Sequence, residues 1–302
     1  MKHSIIIFAS IVLMMTGCSR PKQISGKLEV PGAIFQYNAE GNGIPCIAFT
    51  GSENIGHRLY TDGLHEKLLL IHADPKNISA VQLENLTLET VIDDIEKVRK
   101  HLGLKKIAVM GHSMFGPLPL EYALKYPDKI SYSISTGAAP YTTTKYFEAS
   151  NEYWESAASS DRKKILNENV SKYKAEDMRN LTSSEKFIRQ YIAYTPYRFY
   201  NAHFDMTELW KGVEINMDFI NHFWGVLMRD FDNTENYTNI KAPVLVISGK
   251  YDFGAPYYLW NDVEEIIPDF TFHVFQNAGH NPMIEIPEEF NEYVFNWIES
   301  KK

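Results

Sequence analysis

The sequence predicts an α/β protein built on a mostly parallel central sheet with helices on both faces and an inserted helical lid. Three observations carry this. Short, nearly continuous apolar runs recur along the chain, as in strands buried on both faces. Between them lie segments whose apolar residues return every three or four positions, the period of an amphipathic helix. Over residues 141–239 the alternation stops, and the chain becomes aromatic, charged and helical in pattern without a convincing strand.

The elements follow in order. Residues 27–30 and 33–39 alternate polar and apolar around Pro31-Gly32, the pattern of a β-hairpin. Runs at 45–50 and 67–72 read as buried parallel strands. Leu88, Val91, Ile92, Ile95, Val98 and Leu102 then mark a helix, with Thr87 placed as its N-cap and Gly103 as its stop. A strand at 107–110, a helix at 118–126 and a strand at 130–135 continue the doubly wound rhythm, whose crossovers are right-handed. After the insertion the pattern resumes with a strand at 243–248, a helix at 257–267, a strand at 271–276 and a last helix at 287–299. The expected division is a signal peptide at 1–17, a lipidated tether at 18–26, a core at 27–140 and 240–302, and a lid at 141–239.

The N-terminus has its own character. Lys2 and His3 precede an apolar run from Ile5 to Met15, and Thr16-Gly17 stand directly before Cys18. This is the layout of a signal peptide, and small residues before a cysteine resemble the bacterial lipobox, with Met15 where leucine is more usual. The expectation is an exported bacterial lipoprotein held at a cell-envelope membrane by lipid on Cys18. The apolar run is too short to span a bilayer, so lipid rather than a transmembrane helix would hold it. An ordinary secretory signal is the alternative. The other cysteine, Cys46, lies in an apolar run and reads as a buried structural thiol.

Bulk properties narrow the function. The chain has 302 residues, 44% hydrophobic and 23% charged, enough for a sizeable core. A formal net charge of −8 with scattered Lys and Arg lacks the basic stripe of a nucleic-acid binder, so no nucleic-acid partner is expected. Neither a His-Glu-x-x-His nor a Cys-x-x-Cys motif is present. Chemistry by side chains, with no metal and no cofactor, is the expectation.

The motif that bears on chemistry is Gly111-His112-Ser113-Met114-Phe115-Gly116, between the strand at 107–110 and the helix at 118–126. A sharp strand-to-helix turn exposes a serine hydroxyl and turns backbone donors toward a developing oxyanion. A serine among glycines also suits an ordinary turn, so further residues decide. Asp252 follows the strand at 243–248 and His280 follows the strand at 271–276, both at carboxyl ends where open α/β sheets bind ligands. The chain order Ser113, Asp252, His280 fits a nucleophile, an orienting acid and a base.

With these residues in view, the chain resembles the α/β-hydrolase superfamily, and especially its proline iminopeptidase-like and esterase branch. The resemblance covers residue 27 to the C-terminus. It rests on Gly-His-Ser-Met with Tyr122-Ala123 and Tyr126-Pro127, on Pro243 to Asp252, and on Gly279-His280-Asn281-Pro282 through Pro287-Glu288-Glu289-Phe290. It implies Ser113 as nucleophile, Asp252 as orienting acid and His280 as base, with an oxyanion hole from the backbone N–H groups of Ser52 and Met114. The departures are Thr50-Gly51-Ser52, where many members carry His-Gly, and Phe115, where glycine is usual. The expected activity is hydrolysis of a small ester or amide through an acyl-enzyme. An iminopeptidase would need carboxylates for the substrate amine, and Glu208, Glu214 and Asp218 near Trp210 and Trp224 are available. A catalytically silent homologue binding an apolar ligand is the alternative from another class.

Overall fold

The computed structural model describes residues 24–30, 33–49, 53–60, 62–76, 83–173 and 178–302. The signal segment, Cys18 and the turn carrying Ser52 lie outside the described residues.

Eight strands form one sheet: β1 Ile24–Val30, β2 Ala33–Gly41, β3 Ile44–Phe49, β4 Leu68–Lys76, β5 Ile107–His112, β6 Ile130–Thr136, β7 Val244–Gly249 and β8 Phe270–Phe275. Their spatial order is β1-β2-β4-β3-β5-β6-β7-β8. The β1–β2 hairpin pairs antiparallel, and β2 pairs antiparallel with β4. From β4 to β8 every pairing is parallel. Strands β5 and β7 are buried along their whole length, so both faces are covered and no polar alternation is visible in their sequences.

The order β4-β3-β5 has a direct consequence. From β3 the chain crosses outward to β4, then returns over β3 to β5 and continues the other way. The carboxyl ends of β3 and β5 therefore flank the point where connections diverge, and a crevice opens there.

The helices are α1 Glu53–Leu59, α2 Leu88–His101, α3 Leu118–Lys125, α4 Thr144–Ala157, α5 Ser160–Ser171, α6 Ser183–Ala193, α7 Thr195–Arg198, α8 Thr207–Trp210, α9 Met217–His222, α10 Pro282–Glu285 and α11 Pro287–Ser300. Thr87 caps α2 as its sequence predicts: its Oγ1 accepts from the Thr90 N–H at 3.2 Å, and Thr90 Oγ1 accepts from the Thr87 N–H at 2.9 Å. On α2, Glu96 takes two hydrogen bonds from Arg99, both 2.7 Å, and one from the Tyr122 hydroxyl of α3 at 2.9 Å. This buried cluster ties α2 to α3, the helix that leads out of the Ser113 turn.

Between β6 and β7 the described residues carry helices and no strand. Two sequence expectations need correction. The helix expected over 257–267 is only a short 3-10 turn, Tyr257–Asp262. Asn261-Asp262 are weak helix formers, and Pro268 disfavours helical geometry at Ile267. Strand β4 runs on through Lys76 rather than ending at 72, because it pairs with β2 along that whole length.

Candidate active site

Ser113 sits at the carboxyl end of β5 in a left-handed backbone conformation, φ 58°. A non-glycine residue there is strained by about 1–2 kcal/mol, and the strain turns the hydroxyl out of the strand. The chain then makes one 3-10 turn, Ser113–Phe115, before α3. Two glycines permit the turn. A Cβ on Gly111 would lie 2.1 Å from the Phe115 carbonyl oxygen, and one on Gly116 would lie 2.2 Å from the Ala138 Cβ. Phe115, the departure noted in the sequence, is 3% exposed and packs on Phe223 with ring centroids 4.9 Å apart. It fills the core instead of crowding the turn.

Asp252 and His280 arrive from the ends of β7 and β8. Asp252 is fully buried. Its Oδ1 accepts from the backbone N–H groups of Gly254 at 3.0 Å and Ala255 at 2.9 Å, which fix the carboxylate. Its Oδ2 lies 2.7 Å from His280 Nδ1, and His280 Nε2 lies 2.9 Å from Ser113 Oγ. Because the carboxylate only accepts, Nδ1 carries the proton and Nε2 is left to accept from the serine hydroxyl. Residues 139 and 167 positions from Ser113 in the chain are thus joined in one relay.

Several groups that the sequence did not single out hold this relay. The backbone N–H of His280 donates to the Arg198 carbonyl. Glu285 Oε1 accepts from the N–H groups of Gly279 at 2.8 Å and Asn281 at 3.3 Å, on either side of His280, and its Oε2 accepts from Tyr200 N–H at 2.7 Å. Burial outweighs those donors and pushes the Glu285 carboxyl up to about 7. Arg162 of α5, itself buried, donates to the carbonyls of Pro196 at 2.7 Å, Phe199 at 2.6 Å and Tyr200 at 2.6 Å. The five-residue spacing from His280 to Glu285 on the α10 turn is a signal that was open to view. Nothing in the sequence around Arg162 points to its role.

His112, next to Ser113, stacks obliquely on His280 with centroids 4.8 Å apart. Burial, reinforced by repulsion from His280, pulls its pKa down to about 3. It is neutral near pH 7 and adds no like charge beside the relay.

Two cavities meet at Ser113. The larger, about 90 Å³, is walled by Leu59, Phe115, Tyr191, Trp210 and Ile220 among others, with His112 and Asn281 near the serine. The smaller, about 40 Å³, reaches His280 and is walled by Tyr146, Trp224 and Met228. Trp224 stands in a π-helical turn, Phe223–Leu227, directly after α9. Of the expected substrate-binding residues, Trp210 and Trp224 therefore line different cavities. Glu214 is exposed and lines neither, as are Glu208 and Asp218. Glu208 pairs with Lys211 in solvent at 3.2 Å. Met114 lines both cavities at the start of the 3-10 turn; Ser52, its expected partner, lies outside the described residues. Among the described residues no cluster of His, Cys, Asp and Glu is arranged to hold a metal, and no helix is long and apolar enough to cross a membrane. Cys46 is a buried free thiol.

A strained serine on a strand-to-helix turn, facing a histidine and an aspartate from later strands, is an arrangement tied to one fold class. Residues 60–287 match the model of the alpha/beta hydrolase fold family, and the chain belongs to that family. Among curated proteins it is 27% identical over 273 residues to the AB hydrolase superfamily protein YclE of Bacillus subtilis, covering 89% of this chain and 96% of that protein. It is 24% identical to the proline iminopeptidase of Heyndrickxia coagulans, over 70% of this chain and 74% of the relative. The crystal structure of proline iminopeptidase from Mycobacterium smegmatis superposes with a TM-score of 0.71 at 18% identity, covering 92% of this chain and 98% of that one.

Proposed function

We propose that the chain is a serine hydrolase that cleaves a small, uncharged ester or amide through an acyl-enzyme. The observation that carries this reading is the relay Ser113 Oγ, His280 Nε2, His280 Nδ1 and Asp252 Oδ2, with contacts of 2.9 and 2.7 Å and the nucleophile at φ 58°. His280 takes the serine proton as Oγ bonds to the substrate carbonyl carbon. The backbone N–H groups of Met114 and Ser52 stabilise the resulting oxyanion, and the positive end of α3 adds to the field there. Collapse of the adduct expels the leaving group, which takes the proton from His280. A water deprotonated by His280 then attacks the acyl-enzyme and releases the acid and the free serine. Asp252 holds the imidazole in the required tautomer throughout.

The helical segment at 141–239 serves as a lid over the two cavities, with the α7 end fixed to the His280 loop. An iminopeptidase-type aminopeptidase is the runner-up, in keeping with the relatives at 24% identity. Among the described residues neither cavity wall carries a carboxylate, which favours a neutral substrate over an amine. Location is proposed from the sequence alone: export, and anchoring at the cell envelope by lipid on Cys18. Loss of fatty-acid incorporation in Cys18→Ala supports anchoring, and unchanged incorporation overturns it.

A fluorophosphonate probe tests the central reading. Rapid labelling of the wild type and none of Ser113→Ala is the expected result; a folded wild type that stays unlabelled would mean a silent binding homologue instead. A panel of p-nitrophenyl esters beside aminoacyl-naphthylamides, proline included, separates ester from iminopeptidase action.

A further inference from the structure

The larger cavity beside Ser113 is apolar in its walls but for one unspent hydrogen bond. Trp210 Nε1 is buried and makes no hydrogen bond, and Trp210, 9% exposed, lines this cavity. Asn281 and His112, 2% and 6% exposed, line it too, and their side chains bond to each other. A buried polar atom without a partner costs about 1–3 kcal/mol, and native structures hold few of them. Such a donor on the wall of a cavity that opens at a nucleophile points to a ligand that supplies the missing partner.

The chemistry of that donor says what the ligand offers. The Trp210 indole N–H is a donor only. His112 Nδ1 lies 3.1 Å from the Thr136 carbonyl oxygen and donates there, which leaves Nε2 to accept from the Asn281 amide. The Asn281 side chain also bonds to Tyr191, and Tyr191 packs on Trp210 with centroids 5.0 Å apart. Among the described residues no charged side chain lines the cavity to meet an ionised group. A cavity of about 150 Å³ admits benzene, so a volume of about 90 Å³ suits an acyl chain of roughly four heavy atoms beyond its carbonyl.

Resting on the serine-hydrolase reading, we infer that this cavity is the acyl pocket, and that Trp210 makes it select a short, uncharged acyl group carrying an acceptor oxygen within an apolar chain. The acceptor meets a donor that an all-carbon chain leaves buried and unpaired. Sites built to hydrogen-bond a substrate discriminate strongly against analogues that lack the polar atom.

The test compares chains of matched length, p-nitrophenyl 3-methoxypropanoate with pentanoate and 4-methoxybutanoate with hexanoate. Each kcat/KM is divided by the rate of alkaline hydrolysis of the same ester. The expected result is a preference of about tenfold for at least one oxygen-containing ester over its carbon counterpart, the effect of one net hydrogen bond. Trp210→Phe is expected to bring that ratio toward one, whatever happens to the absolute rates. Turnover of both series with ratios within twofold in the wild type overturns the acyl-pocket assignment alone, as does a ratio that survives the substitution. Absence of turnover with absence of fluorophosphonate labelling overturns the hydrolase reading and this inference with it.

Discussion

The backbone N–H of His280 donates to the Arg198 carbonyl at 2.5 Å, so the last turn of α7 holds the loop that carries the base. Arg162 caps that same turn through three carbonyls, and Phe253, next to Asp252, donates its N–H to the Tyr197 carbonyl at 3.3 Å. This part of the segment between β6 and β7 is structurally continuous with the relay. Residues of α8, α9 and the π-helical turn line the two cavities.

The strain at Ser113 separates stability from activity. Glycine adopts φ 58° freely, whereas alanine keeps the penalty. Ser113→Gly is expected to be more stable than Ser113→Ala by about 1 kcal/mol, with neither variant labelled by the fluorophosphonate. Thermal denaturation of the two variants measures the difference; equal midpoints would show that the turn relaxes when the serine is lost.

Asp252→Asn removes the charge that orients His280 while leaving an oxygen for the Gly254 and Ala255 amides. The histidine is then free to take the wrong tautomer, and kcat is expected to fall about 10⁴-fold. Steady-state kinetics with a p-nitrophenyl ester reads the loss, and circular dichroism should show an unchanged fold. A fall of less than tenfold would remove Asp252 from the relay.

Glu285 gives a pH signature. Its carboxyl is pushed from 4.5 to about 7 by burial. A raised folded-state value contributes stability below pH 4.5 and loses it as pH rises through about 7. Glu285→Gln does not titrate, so the stability of the wild type relative to this variant is expected to decline across that window. The variant also sets an amide N–H against Tyr200 N–H or Gly279 N–H, loosening the His280 loop, and kcat should fall at pH 8. Denaturant titrations between pH 4 and pH 8 check the slope, and parallel curves would contradict it.

The Glu96 cluster behaves in the opposite sense. Hydrogen bonds from Arg99, then from Tyr122, hold the Glu96 carboxyl down from 4.5 to about 2. A depressed value contributes stability above pH 4.5 that is lost as pH falls toward 2. Glu96→Gln leaves Arg99 buried without its counter-charge and is expected to destabilise by about 3–5 kcal/mol at pH 7. Urea denaturation should show the gap between wild type and variant closing on acidification.

Much of the sheet was readable because its strands are short apolar runs between helices of clear period. The failures have local causes. Residues 257–267 carry helix-compatible apolar spacing, yet Asn261-Asp262 and Pro268 override it. The chain order of Ser113, Asp252 and His280 pointed to one site because parallel sheets bring strand ends together whatever their separation in sequence, and the structure places the three within hydrogen-bond reach. The surroundings were not readable in the same way. Glu208, Glu214 and Asp218 lie near tryptophans in sequence, but all three are exposed while Trp210 and Trp224 line the cavities. Arg162 acts on backbone groups, which have no sequence signature of their own.

The contact between Gly116 and Ala138 bears on how such turns are recognised. Room is needed where the outgoing helix passes the neighbouring strand, and here that point of passage falls three residues after the serine, at Gly116. Phe115 is thereby released from steric duty and packs with Phe49, Phe219 and Phe223. The constraint is a volume at a place in space rather than a letter at a fixed offset. A small residue at 138 and another at 116 therefore form one joint requirement: enlarging either should break the turn, and a search for it must read two distant positions together.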